Sequence, residues 1–240
     1  MEQTTVSDIV AKDFRAAAVF EEHSIDFCCH GKVSLEEACK KSGVTVDNIQ
    51  SELALISAAD KNTDEAYDAW ESDKLSDYII QTHHRYVKEA IPVTTAYCGK
   101  VAFKHGARHP EVIQIKELFQ ELSEELTQHM TKEEIILFPY IKLLASSQRE
   151  GKPVQKPPFG TIQNPIRMME SEHDNAGNNL EAIRSVANNF TLPPDACATF
   201  NVTYQELKRF ESDLHKHIHL ENNILFPKAL ELERQLLDSR

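Results

Sequence analysis

His129-Met130-Thr131-Lys132-Glu133-Glu134-Ile135-Ile136-Leu137-Phe138-Pro139 and His217-Ile218-His219-Leu220-Glu221-Asn222-Asn223-Ile224-Leu225-Phe226-Pro227 are two copies of one pattern. Each has a His, a Glu four residues later, and an Ile-Leu-Phe-Pro end at the same offset. Residues four apart on a helix lie one above the other, so each copy aims an imidazole and a carboxylate at one spot. That is a metal-ligand spacing, and it makes His129, Glu133, His217 and Glu221 candidate ligands.

The flanking residues say which way this face points. Ile115, Phe119, Leu122, Leu126, His129, Glu133, Ile136, Tyr140 and Leu143 follow one another in steps of three and four, the seam of a helical bundle. Phe200, Thr203, Leu207, Phe210, Leu214, His217, Glu221 and Ile224 do the same around the second copy. The two carboxylates therefore point into a core, where an unpaired one costs several kcal/mol or more. A metal is the economical partner.

Working outward, a helix from about Asp73 sets Ile80, His84, Val87 and Ile91 on one line, with Pro92 bending or ending it. Cys98 to His109 reads as irregular, and Pro110 suits the first turn of the helix bearing the first motif. Ser146 to Pro165 is rich in Gly and Pro and reads as a long crossover. The next helix carries Ile166, Met169, His173, Ala176, Leu180, Ile183 and Ala187 on one face. From His84 to His129 is 45 residues and from His173 to His217 is 44, so each half is a lone His followed by His-x-x-x-Glu. This internal repeat predicts two helical hairpins joined at the crossover. Four imidazoles and two carboxylates suit two iron or manganese ions better than zinc. Each ion takes two His, and Glu133 and Glu221 bridge. Spacing alone leaves His83 and His84 in competition.

The amino-terminal region is separate. A helix opens after Ser7 as N-cap and runs past Phe20 to about His23; Ile25 to Lys32 is a loop; Ser34-Leu35-Glu36-Glu37 is a capping box for a helix ending at Gly43; Asp47 caps a third helix. The expected organisation is a helical domain over 1–60 with adjacent cysteines, a polar linker over 61–72, and a bundle over 73–240. A net charge of −12 with no basic stripe excludes nucleic acid and anionic membrane surfaces as partners. No apolar run approaches the roughly 20 residues of a membrane span, and no signal segment opens the chain, which predicts a cytoplasmic protein. Five cysteines, two of them adjacent at Cys28 and Cys29, suit reduced thiols.

These features resemble the hemerythrin-like di-iron proteins of the repair-of-iron-centres (iron-sulfur cluster repair) family. The resemblance covers nearly the whole chain, through Ile25-Asp26-Phe27-Cys28-Cys29, Ser34-Leu35-Glu36-Glu37-Ala38-Cys39, Asn164-Pro165, Glu172-His173-Asp174 and both Leu-Phe-Pro motifs. It implies an all-α, hemerythrin-like four-helix bundle with a small amino-terminal helical domain. It also implies that His84, His129, His173 and His217 ligate an oxo-linked iron pair bridged by Glu133 and Glu221. The family's ligand lies eight residues before the Pro of Ile91-Pro92, which selects His84 over His83. Oxygen-carrying hemerythrins use five His and two carboxylates, so reversible oxygen transport is not implied.

The function that follows from the resemblance is repair of iron-sulfur clusters damaged by nitric oxide or oxidative stress, by iron donation. Damaged iron-sulfur proteins would be the partners, nitric oxide or oxygen the small ligands, and a homodimer the assembly. The rival readings are a di-iron nitric oxide reductase and an oxygen or redox sensor or iron store. Cys28 and Cys29 are the candidate reactive residues outside the metal set. His215 and His219 face away from the site and read as solvated; His23, His30, His105 and His109 read as surface residues. Cys39, Cys98 and Cys197 have no spacing partner and default to ordinary thiols. Glu125 and Glu172 are candidates to hydrogen-bond a ligand His, with exposed charge as the default.

Overall fold

The computed structural model describes residues 4–23, 25–28, 31–58 and 67–238. Four small helices come first: α1 (Val6–Lys12), α2 (Ala16–Glu22), α3 (Leu35–Ser42) and α4 (Val46–Ala58). Thr5, rather than Ser7, caps α1. Its hydroxyl accepts from the Asp8 amide while the Asp8 carboxylate accepts from the Thr5 amide, so the box closes and Ser7 turns inward, buried. The expected single helix breaks at Asp13, whose side chain accepts from Arg15. Ser34 caps α3 through the Glu37 amide, and Gly43 ends it in the left-handed region at φ 72°. Thr45, not Asp47, caps α4, through the Asn48 amide.

The bundle is built from long rods. The first is α5 (Ser72–Ile79), a π turn over Ile80–His84 and α6 (Arg85–His105). The second is α7 (Glu111–Lys132), a π turn over Glu133–Leu137 and α8 (Phe138–Glu150). The third is α9 (Gln163–Val186); the fourth is α10 (Ala198–Leu220), a π turn over Glu221–Leu225 and α11 (Phe226–Asp238). α6 lies against α7 and α10, α7 against α9, and α8 against α5 and α11. α6 passes through Pro92 and on to His105, so the expected irregular stretch from Cys98 is helical. Packing on two neighbours offsets the hydrogen bond the proline cannot make. The crossover is shorter than its breakers suggested, from the left-handed cap at Gly151 to the start of α9. Buried Glu233 fastens it, accepting from the Tyr140 and Thr161 hydroxyls and the Ile162 amide.

In each repeat the Glu of the motif opens a π turn, and the Phe five residues on donates its amide to that Glu's carbonyl: Phe138 to Glu133, Phe226 to Glu221. A π turn holds one extra residue, and the following Pro, which has no N–H, sits where the helical ladder is already loosened. The insertion rotates everything beyond it. Ile136 and Leu143, expected in the seam, are 47% and 49% exposed, while Leu137, Phe138, Ile141 and Leu144 are buried.

Two apolar layers result. One joins α6, α7, α9 and α10 to the amino-terminal helices; the other joins α5, α8, α11 and the crossover. The six candidate ligands fill the level between them, each no more than 2% exposed. The amino-terminal helices dock on α10 and the last π turn. Phe14 and Phe27 pack on His219, and the His215 ring meets Phe27. Among the described residues the only extended pairing is an isolated bridge between Thr5 and Ser34, and no helix is long and apolar enough to cross a membrane.

Candidate metal centre

His84 ends the first π turn, and His129 and His217 lie in the last turns of α7 and α10; Glu133 and Glu221 begin their π turns, and His173 is mid-α9. The six side chains form two groups of four that share both glutamates. One is His84, Glu133, His217 and Glu221; the other is His129, Glu133, His173 and Glu221, with the donor atoms of each group within 4.8 Å of one another. The spacing repeat did not say which His partner which. The fold pairs each lone His with a motif His of the other half.

Within the pairs, His84 Nε2 lies 3.2 Å from His217 Nε2, and His129 Nε2 lies 3.0 Å from His173 Nε2. Carboxylate oxygens close each group: Glu133 Oε2 is 3.4 Å from His84 and 3.3 Å from His129, Glu221 Oε1 is 3.0 Å from His217, and Glu221 Oε2 is 3.1 Å from His173. Two facing Nε2 atoms cannot both be lone pairs in contact without a cation or proton between them. Both oxygens of Glu133 and Oε2 of Glu221 are buried without a hydrogen-bond partner among the described residues. Bound metal would supply what those atoms lack.

Without a cation the charges rearrange. Burial opposes charge on His84, yet the nearby Glu133 and Glu221 carboxylates outweigh it and raise its pKa to about 10. His129 is likewise raised to about 10, against burial, by Glu133, Glu172 and Glu221. Burial pushes His217 down. Burial opposes ionisation of Glu133 and Glu221, but the surrounding imidazoles prevail and hold both below the usual carboxylate range. Protons and metal compete for these nitrogens.

The outward ring nitrogens are held too. His84 Nδ1 is 2.8 Å from Glu134, His173 Nδ1 2.8 Å from Asn222, and His129 Nδ1 2.9 Å from Glu172. Each such bond fixes the tautomer that leaves Nε2 facing inward. Glu172 was among the candidates; Glu134 and Asn222 were not, though the repeat carries the signal. Both directly follow the motif Glu, and each reaches back to the lone His of its own hairpin. The repeat breaks at the residue before each lone His. Glu172 grips His129, whereas its counterpart His83 stacks over His217 at 5.7 Å and turns its Nδ1 to Asp213, 2.9 Å away. His217 Nδ1 has no partner among the described residues. Glu125, in contrast, is exposed and lines a cavity of about 260 Å³ that reaches His129 and His173 between α7 and α9.

Two expectations about histidines fail. His219 does face away from the metal level, but it is 1% exposed, because the amino-terminal helices cover that side of α10. His105 is 4% exposed, enclosed where α6 meets the start of α10. Cys28 is buried at the docking surface; its amide donates to Asp26, and its carbonyl lies 3.5 Å from the Asn223 amide group, which also reaches His219 Nδ1. Cys29 and His30 lie outside the described residues.

The chain matches two family descriptions: ScdA_N, a domain of unknown function, over residues 2–57, and the hemerythrin HHE cation binding domain over residues 75–229. It is 35% identical over 229 residues to the probable iron-sulfur cluster repair protein of Haemophilus influenzae, covering 95% of this chain and 97% of the relative. It is 38% identical over 219 residues to the iron-sulfur cluster repair protein YtfE of Escherichia coli and to that of Escherichia fergusonii, covering 90% of this chain and 91% of each relative.

Proposed function

Because the chain belongs to the hemerythrin HHE cation-binding family, we propose that it is a di-iron protein that repairs iron-sulfur clusters damaged by nitric oxide or oxidative stress. The observation that carries this reading is the pair of buried four-ligand groups sharing two glutamates. His84 and His217 would hold one iron, His129 and His173 the other, with Glu133 and Glu221 bridging an oxo-linked pair. Likeness along nearly the full length to proteins named for cluster repair supports it. The bound iron supplies one-electron redox chemistry and is itself the cargo handed on.

The chain's own residues prepare that exchange. Glu134, Glu172 and Asn222 hold three imidazoles in the ligating tautomer, and the two apolar layers keep bulk water from the carboxylates. The cavity beside His129 and His173 gives a small ligand or a departing ion a route. In this reading residues 1–60 form a domain that carries the reactive Cys28 and Cys29, 61–72 link it to the bundle of 73–240, and the protein acts in the cytoplasm as a homodimer.

The test is to mix the iron-loaded full chain with an iron-sulfur enzyme inactivated by nitric oxide. Reactivation should track iron lost from this protein mole for mole, and Cys28→Ser/Cys29→Ser should weaken it with iron retained. Conversion of nitric oxide to nitrous oxide over many turnovers, with a supplied reductant and no iron loss, would replace repair by nitric oxide reduction. Iron held with neither outcome would leave a store or sensor.

A further inference from the structure

At the opposite end of the bundle from the metal level, a cysteine and a histidine meet from elements 92 residues apart. His105 is the last residue of α6, and Cys197 is the N-cap of α10. His84 lies 21 helical residues before His105, so at about 1.5 Å per residue the two places are roughly 30 Å apart. We propose that Cys197 and His105 form a second reactive site, a thiolate held by an imidazole, that takes hydrogen peroxide and becomes a sulfenate.

The geometry starts with the ring. His105 is 4% exposed, its Nε2 lies 3.2 Å from Cys197 Sγ, and its Nδ1 has no partner among the described residues. A buried N–H without an acceptor costs about 1 to 3 kcal/mol, so the proton belongs on Nε2, where it donates to sulfur. Phe200, edge-on at 5.3 Å, fixes the ring plane. Sulfur sits over the first turn of a 23-residue helix, where free amides point outward. The amides of Phe200 and Thr199, against slight burial, and the Lys104 ammonium beyond them hold the thiol below its ordinary range. The nearby acids are already engaged: Asp195 by His109 and Arg108, Glu111 by His109. Cys197 is half-buried and reachable, whereas Cys39 and Cys98 are enclosed and burial raises both.

The step balances with peroxide as the oxidant. The thiolate attacks one peroxide oxygen, the S–O bond forms as O–O breaks, and the proton on the attacked oxygen passes to the leaving hydroxide. The products are a sulfenate and water; sulfur gives up two electrons and peroxide accepts them. His105 is a positioning residue here, donating to sulfur before the step and to the sulfenate after it.

The test is alkylation of the metal-loaded full chain with iodoacetamide, followed peptide by peptide by mass spectrometry. An ordinary thiol with a pKa of about 8.5 slows roughly fiftyfold between pH 8.5 and 6.5. Cys197 should slow less than tenfold. His105→Leu should steepen its profile toward the ordinary one, and His105→Gln, which keeps an N–H donor, should restore part of the difference. Peroxide followed by dimedone should mark Cys197. A fiftyfold dependence in the wild-type protein, or no dimedone adduct at Cys197, overturns the proposal, and both readouts stand even where His105→Leu fails to fold.

Discussion

The pairing of ligands across the two halves makes a sharp stoichiometric prediction. His84→Ala and His217→Ala each remove one of the two imidazoles of a single group and leave the other group with its full four donors. Each single variant should therefore hold one metal equivalent in place of two, and the double variant His84→Ala/His217→Ala should hold one as well. That is complete non-additivity within a pair, as expected of residues acting on one centre. The cross variant His84→Ala/His129→Ala damages both groups and should hold none. The shared glutamates do not blur this, because Glu133 and Glu221 keep two oxygens each for whichever ion remains. The assay is metal analysis after gel filtration against a competing chelator, with the melting temperature as a control for folding. One retained equivalent in the cross variant, or none in the same-pair double variant, would refute the pairing.

Other outcomes follow from the same geometry. Asn222→Leu removes the acceptor that holds His173 and should weaken metal binding about 10- to 100-fold, read by chelator titration, with the His84 and His217 group spared. In the metal-free protein His84 and His129 titrate at about 10 instead of 6.5. Stability from their protonation is full below pH 6.5 and is lost as pH rises toward 10. The lowered Glu133 and Glu221 contribute above pH 4.5 and lose that contribution as pH falls. The metal-free melting temperature should thus peak between about pH 5 and 6.5 and decline toward 10, a decline the metal-loaded protein lacks. Phe119→Ala empties a site 1% exposed and packed edge-on against Phe210, and should cost about 3 to 5 kcal/mol in denaturant melts with metal content unchanged.

The fold class and five of the six candidate ligands were legible because a helix buried on one face writes that face into its spacing. Up to the wide turns, His129, Glu133, His173, His217 and Glu221 fall on lines of apolar residues that are buried in the structure. His84 needed the family resemblance, since the π turn that ends on it breaks the spacing rule used to find it. The same irregularity hid Leu137 and Leu144 behind Ile136 and Leu143. Periodicity arguments assume 3.6 residues per turn, and one inserted residue shifts the pattern by about 100°. His219 and His105 were misread for a different reason. Neither lies on a line read as core, and the docking of distant segments, Phe14 and Phe27 on His219 and Phe200 on His105, removes them from water.

The wide turns have a consequence for how this chain tolerates change in length. Between each motif Glu and its Pro the count is fixed by the turn, and both halves keep the same count. Removing one residue from 134–137 would close the wide turn into an ordinary helical one and leave Phe138, Ile141 and Leu144 facing α5 and α11, whereas adding a further residue would swing them about 100° round the rod and unseat those contacts at once. Exchanging that segment for its counterpart after Glu221 would also preserve the frame, so the two halves can trade sequence here, or lose a residue, far more readily than either can lengthen.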